Sequence, residues 1–179
     1  RSVAGYRTPM TVEKLLAAFR EKLEDKPRYV ILQAPKGDAE LVTPLDKYRR
    51  QVAELIDLAN QNKVLPILVT IAVQNNDPAS ELSLKLEPYN NALRSVAGAR
   101  HVPLADIHQA MKRLHAADPG VRLTYDGERF NRQGSILLTE LLMHAMGIDS
   151  RINPKLRKIW TERPSYTKRY KKPKPSARQ

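Results

Sequence analysis

Thr124-Tyr125-Asp126-Gly127-Glu128-Arg129-Phe130-Asn131-Arg132-Gln133-Gly134 is the stretch on which the reading of this chain turns. It follows a run of alternating apolar and amphipathic segments and opens the last apolar helix. In an open α/β sheet the loops beyond the carboxyl ends of the strands carry the chemistry. A site is therefore expected here. Asp126 has the character of an orienting carboxylate. Three positions on, where a general base would be useful, stands Arg129. A guanidinium stays protonated at working pH and cannot accept a proton. The expectation is an enzyme-like scaffold that has lost its enzyme, with no catalytic residues.

Upstream, Thr8-Pro9 breaks the entry and Thr11 caps a helix to about Lys22, with Leu15, Leu16, Phe19 and Leu23 on one stripe. Residues 29–34 form a short apolar run, as in a strand covered on both faces. Pro35-Lys36-Gly37-Asp38 reads as a turn, with Asp38 a turn residue. A helix after Pro44 buries Tyr48, Val52, Leu55, Ile56, Leu58 and Ala59. Val64 to Val73 reads as the next strand, Glu87 to Ala97 as a helix, and 102–106 as a short strand. Ile107, Met111 and Leu114 mark a helix. Ile136, Leu137, Leu141, Leu142 and Met146 mark the last one, which Gly147 ends. Strands alternating with helices predict a mostly parallel sheet in a three-layer α/β sandwich.

The 179 residues suffice for one core. The absence of cysteine excludes disulfides, thiolate nucleophiles and Cys-based zinc sites. No apolar run reaches transmembrane length. No cofactor is expected: there is no Gly-rich phosphate loop. No metal is expected either, since His101, His108, His115 and His144 lack paired-ligand spacing. Charge divides the chain. Of its 31 basic and 19 acidic residues, 151–179 hold 11 and one, leaving 20 and 18 for the rest. The predicted division is a near-neutral α/β domain, 1–148, and a basic extension, 149–179. In the extension Lys155, Arg157, Lys158, Arg163, Lys168, Arg169, Lys171, Lys172 and Lys174 interleave with Trp160, Tyr166 and Tyr170. Cations that meet phosphates and rings that stack on unpaired bases suit RNA.

In this order and spacing the features resemble the SGNH, or GDSL, hydrolase superfamily over most of residues 3–147. Gly5 fits its second block. Pro35-Lys36-Gly37-Asp38 stands at its G-x-N-D block, and Asp126-Gly127-Glu128-Arg129 at its D-x-x-H block. Tyr89-Asn90-Asn91-Ala92-Leu93-Arg94 and Val102-Pro103-Leu104-Ala105-Asp106 resemble its Y-N-x-x-L helix and V-P-L-V-D strand. The resemblance implies a flavodoxin-like fold, here lacking the first strand with its G-D-S nucleophile. It also implies that Gly37 replaces the oxyanion asparagine and Arg129 the histidine, so that Gly5, Gly37, Asp126 and Arg129 are degenerate positions. Acyl transfer needs a nucleophile, a base and oxyanion donors together.

The function expected from these readings is structural: a component of a large ribonucleoprotein, a mitochondrial ribosomal protein whose tail binds ribosomal RNA and whose body contacts neighbouring proteins, with no small-molecule substrate. A mitochondrial location goes with a targeting segment removed or not shown before Arg1. The alternatives are an accessory subunit of a mitochondrial membrane complex, and an SGNH esterase completed by another chain or segment.

Overall fold

The computed structural model describes residues 9–148. The chain enters through Pro9 and Met10 into helix α1 (Val12–Lys22), whose first turn is closed by the Thr11 hydroxyl accepting from the Lys14 amide at 3.3 Å. A 3₁₀ turn (Leu23–Asp25) and left-handed Lys26 lead to strand β1 (Tyr29–Gln33). A one-turn helix, α2 (Gly37–Glu40), and the long α3 (Leu45–Gln61) precede β2 (Leu65–Val69). Then come α4 (Glu81–Ala99), β3 (Leu104–Ala105), α5 (Ile107–Ala117) and α6 (Arg132–Ala145).

The sheet has the order β1-β2-β3 and both pairings are parallel, with Tyr29 beside Leu65 and Val69 beside Ala105. Parallel neighbours need a crossover, and helices fill each one. Successive strand residues face opposite ways, and β2 shows the result. Leu68 belongs to the core made with α1, α3 and α4, while Val69 belongs to a second core with α5 and α6. The predicted three-layer α/β arrangement with a parallel sheet is therefore present. Of the buried face foreseen for α3, Tyr48, Val52, Leu55, Ile56 and Ala59 are buried as expected, and Leu58 is half-buried.

Three local readings are corrected. The apolar run 64–73 is a strand only to Val69; residues 70–73 stay buried without a ladder. Thr70 donates its amide to the Ala105 carbonyl, and Asn90 binds both the amide and the carbonyl of Ile71. The helix expected from Glu87 begins at Glu81, because Ser80 caps it and it continues through Pro88. The turn at 35–38 is the entry to α2, and Asp38 is a buried tertiary acceptor. Gly5, the division at 148/149 and the predicted RNA contacts from Lys155 to Lys174 lie outside the described residues.

Candidate active site

The Asp126 loop is a tight hairpin. Thr124 and Phe130 bridge antiparallel, and the Tyr125 amide donates to the Arg129 carbonyl at 2.9 Å. Inside it, Asp126 Oδ1 accepts from the amides of Glu128 (3.1 Å) and Arg129 (2.8 Å), and Oδ2 from Arg129 Nε at 2.6 Å. The Arg129 amide, its guanidinium and the Glu128 amide together hold the Asp126 carboxyl down at about 2. Asp126 is thus a permanent carboxylate bound by its own loop, and Arg129 is its ion-pair partner at an exposed position.

The loop after β2 braces this hairpin. Asn76 Oδ1 accepts from the amides of Leu123 and Thr124, both at 2.9 Å, and its Nδ2 donates to the Thr124 carbonyl at 3.3 Å. The Asn75 amide donates to the Gly127 carbonyl at 2.9 Å. Gly127 has φ +94°, and a Cβ there would lie 2.7 Å from Asn75 Oδ1. Asn75 and Asn76 are themselves left-handed, with φ 57° and 52°, a conformation asparagine tolerates. Two loops at the carboxyl end of the sheet are locked together.

Gly37 lies at the first strand's exit. A Cβ on it would come within 2.1 Å of the Met10 carbonyl oxygen. The side chain that the resemblance places at this position has no room, because the entering chain passes there. The neighbouring Asp38 is 1 % exposed and accepts from the Val12 amide at 2.7 Å, satisfying the start of α1. Burial pushes its carboxyl up, against the opposing Val12 amide and Thr43.

Between α1 and the outer edge of β1 runs a groove of about 530 Å³. Its walls include Leu15, Phe19, Val30 and Ile31, and its mouth Lys36, Gln74, Glu128 and Phe130. Lys36 bridges Glu40 at 3.3 Å and also pairs with Glu128. Asp126 and Arg129 adjoin this mouth through Glu128 and Phe130. Among the described residues, no serine or histidine lines the groove. His108 lies elsewhere: it is 1 % exposed, with Nδ1 3.2 Å from Arg94 Nη2 and Nε2 3.6 Å from Glu87. Among the described residues no group of three or more His, Asp or Glu is placed to hold a metal ion, and no helix is long and apolar enough to cross a membrane.

The structure also explains residues quoted above only for resemblance. Arg94 clasps Asp106, and Asn90 pins Ile71, so the Tyr89–Arg94 and Val102–Asp106 segments fix the end of β2. Their signal in the sequence is polar side chains inside otherwise apolar segments.

A model described as the GDSL-like Lipase/Acylhydrolase family matches residues 1–134. No curated protein sequence matches the chain. Among solved structures, an α/β hydrolase, LAE5, from the metagenome of Lake Arreo superposes with TM-score 0.66 at 20 % identity, over 78 % of this chain and 69 % of that one. An acetylxylan esterase, Axe2, from Geobacillus stearothermophilus gives 0.65 at 16 %, over 77 % and 68 %. A GDSL-like lipase from Bacteroides thetaiotaomicron gives 0.60 at 21 %, over 80 % and 73 %. The expectation of a chain that has lost its enzyme is corrected by these matches. The family is one of lipases and acylhydrolases, the similar structures are of hydrolases and esterases, and none of them marks a lost activity. The substitutions at Gly37 and Arg129 count two positions and leave the groove and the carboxylate loop intact.

Proposed function

Because the chain belongs to the GDSL-like lipase/acylhydrolase family, we propose that it is the larger part of a carboxylic-ester hydrolase whose nucleophile and base arrive on a polypeptide segment outside residues 9–148. The observation that carries this reading is the family match across residues 1–134, which spans both the groove and the Asp126 loop. Hydrolysis would occur at the groove mouth. There a serine hydroxyl attacks the ester carbonyl, a base takes its proton and later returns it to the leaving alkoxide, and water releases the acid. Asp126, ionised throughout the working range, supplies fixed negative charge for a cationic base. Arg129 cannot be that base.

A fluorophosphonate probe on the native, gently purified assembly tests this. Serine-type labelling is expected on the assembly, and Asp126→Asn and Asp126→Ala should each cut it about tenfold or more. Asn retains the oxygen that the Arg129 amide needs, so a loss in both variants separates charge from loop collapse. An assembly that takes no label would sink the reading.

A second reading concerns the extension. We propose that residues 149–179 bind a polyanion, RNA in a mitochondrial ribonucleoprotein, on the ground that 11 of the chain's 31 basic residues lie in 151–179 with one acid. Salt-sensitive RNA binding by the full chain, lost on deleting 151–179, is the expected result. Binding that anionic vesicles abolish but nuclease does not would favour the membrane-complex alternative.

A further inference from the structure

The sheet face that carries Val69 is covered only in part. Parallel partners point their side chains the same way, so Tyr29, Ile31 and Gln33 share this face with Leu65, Ile67 and Val69. Helix α6 packs over Val69 and Ala105. Toward the amino ends of β1 and β2, Tyr29, Ile31 and Leu65 stand together at 51 %, 53 % and 56 % exposure. Contiguous exposed apolar side chains mark an interaction site. Three such side chains fall well short of the about 800 Å² per partner of a standard protein interface. A ring with two aliphatic neighbours instead has the size and character of a stacking platform for unpaired bases.

The charges around Tyr29 favour a polyanion. The Arg28 guanidinium lies 5.9 Å from the centroid of its ring, so cation and ring present one π surface. Tyr29 is beside Leu65 in the β1–β2 register, which places Lys63 at the same end of the sheet as Lys26 and Arg28. All three cations are exposed, and among the described residues none of them is in an ion pair. Glu24 and Asp25 stand in the turn before β1 and offset part of this charge. The corner therefore supplies a ring and local cations, while bulk positive charge has to come from elsewhere. The extension is its source. Helix α6 starts at the carboxyl-end hairpin and is about 21 Å long. Ala145, its last residue, still packs on the core that holds Val69 and Ala105. The helix thus returns along this face toward the amino ends of the strands. From there the chain continues past Ile148 into a stretch, 151–179, with 11 basic residues and one acidic.

We infer that Tyr29, backed by Arg28, is a stacking platform for an unpaired base of RNA whose phosphates the extension binds, an inference that rests on the polyanion reading of the extension. Lys26 and Lys63 flank the platform and meet the phosphates next to the stacked base. The body fixes where the strand lies, and the extension supplies the salt-dependent affinity.

Fluorescence anisotropy of the full chain tests this with two labelled probes, a short oligouridylate and an abasic oligomer of the same length and charge. Tyr29→Ala should weaken oligouridylate binding about tenfold and leave the abasic oligomer and the salt slope unchanged. Tyr29→Phe keeps the ring and should bind as the natural protein does. Melting temperatures of the three proteins should agree, since the side chain is half exposed. Exchanging Lys168, Arg169, Lys171 and Lys172 together for glutamine should weaken both oligomers and reduce the salt slope. The platform is overturned if Tyr29→Ala loses nothing, if it loses both oligomers equally, or if Tyr29→Phe loses as much. A dimer in sedimentation that Tyr29→Ala dissociates would assign the patch to a second copy and also overturn it. The two readings fail separately. A salt slope untouched by the glutamine exchanges, with the Tyr29→Ala loss intact, removes the extension reading and keeps the platform. The reverse pattern keeps the extension alone, and no binding of either oligomer removes both.

Discussion

Arg94 holds both carboxylate oxygens of Asp106, with Nε 2.7 Å from Oδ2 and Nη2 3.1 Å from Oδ1. The pair joins α4 to the residue that caps α5, at 24 % and 26 % side-chain exposure. Asp106 Oδ1 also accepts from the Thr70 hydroxyl and the Gln109 amide. Burial alone would raise the Asp106 carboxyl; Arg94, the Gln109 amide and Thr70 outweigh it and hold it below the usual range.

Arg94→Ala should therefore cost about 2–3 kcal/mol, because it leaves a half-buried carboxylate without its main partner. The sign of the pH effect follows from the lowered value. The native state binds fewer protons at this site than the unfolded chain. The stabilisation is complete above about pH 4 and is lost as pH falls through the folded value. Asp106→Asn should flatten that acid limb in urea titrations. Parallel acid limbs in the two proteins would contradict the assignment.

Two glycines should respond oppositely to alanine. At Gly37 the new Cβ meets the Met10 carbonyl at 2.1 Å, and backbone cannot swing aside as a side chain can. Gly37→Ala should lose about 2 kcal/mol or more by displacing the entry to α1. Gly98, near the end of α4, has nothing within 4 Å of its Cβ position. Gly98→Ala should gain about 0.5–1 kcal/mol from helix propensity. Thermal melts of the two variants decide this, and a destabilised Gly98→Ala would mean that the exposed end of α4 is covered.

The brace between the two loops gives a third prediction. Asn76→Ala removes acceptors for the Leu123 and Thr124 amides together with one donor, and should cost about 2 kcal/mol. Its local signature matters more: amide exchange across residues 123–130 should quicken while α3 stays protected. Gly127→Ala, strained by its positive φ and by Asn75, should produce the same pattern. Uniform loss of protection would show instead that the hairpin is part of the global core.

Much of this arrangement was legible in the sequence, and the failures have physical causes. The stripe Tyr48, Val52, Leu55, Ile56 marked α3 because period and burial agree there; the apolar run at 29–33 marked β1, but the cover expected on both its faces is not seen, since Tyr29 and Ile31 are exposed and only Leu32 is buried. The run to Val73 misled because periodicity sees burial alone. Within residues 70–73, Asn90 meets both the amide and the carbonyl of Ile71 and the Gln74 side chain donates to the Ala72 carbonyl, so these groups need no strand partner. Pro88 concealed the first turns of α4, although Ser80 was already a competent cap. The absent motif gave the expectation of a missing first strand, yet not which edge of the sheet is unpaired among the described residues. That follows from the direction of the Arg28 and Ala34 hydrogen bonds. The nearness of Asp38 to Val12 and of Lys36 to Glu128 is tertiary and leaves no trace in spacing.

His108 gives the last prediction. It is buried in α5, with Arg94 Nη2 at Nδ1, so that nitrogen is the acceptor and the ring proton sits on Nε2, facing Glu87. Burial lowers its pKa; Glu87 opposes this, while Arg94 and Lys112 reinforce it. The unfolded chain therefore takes up a proton here before the folded one does. Stability contributed by this site is complete above about pH 6.5 and declines as pH falls through the lower folded value. His108→Asn keeps an oxygen near the Nδ1 position but cannot titrate. The natural protein should lose melting temperature between pH 7 and 5 more steeply than this variant does. If the two decline in parallel, or the natural protein gains stability on acidification, Glu87 holds His108 protonated and the burial argument fails.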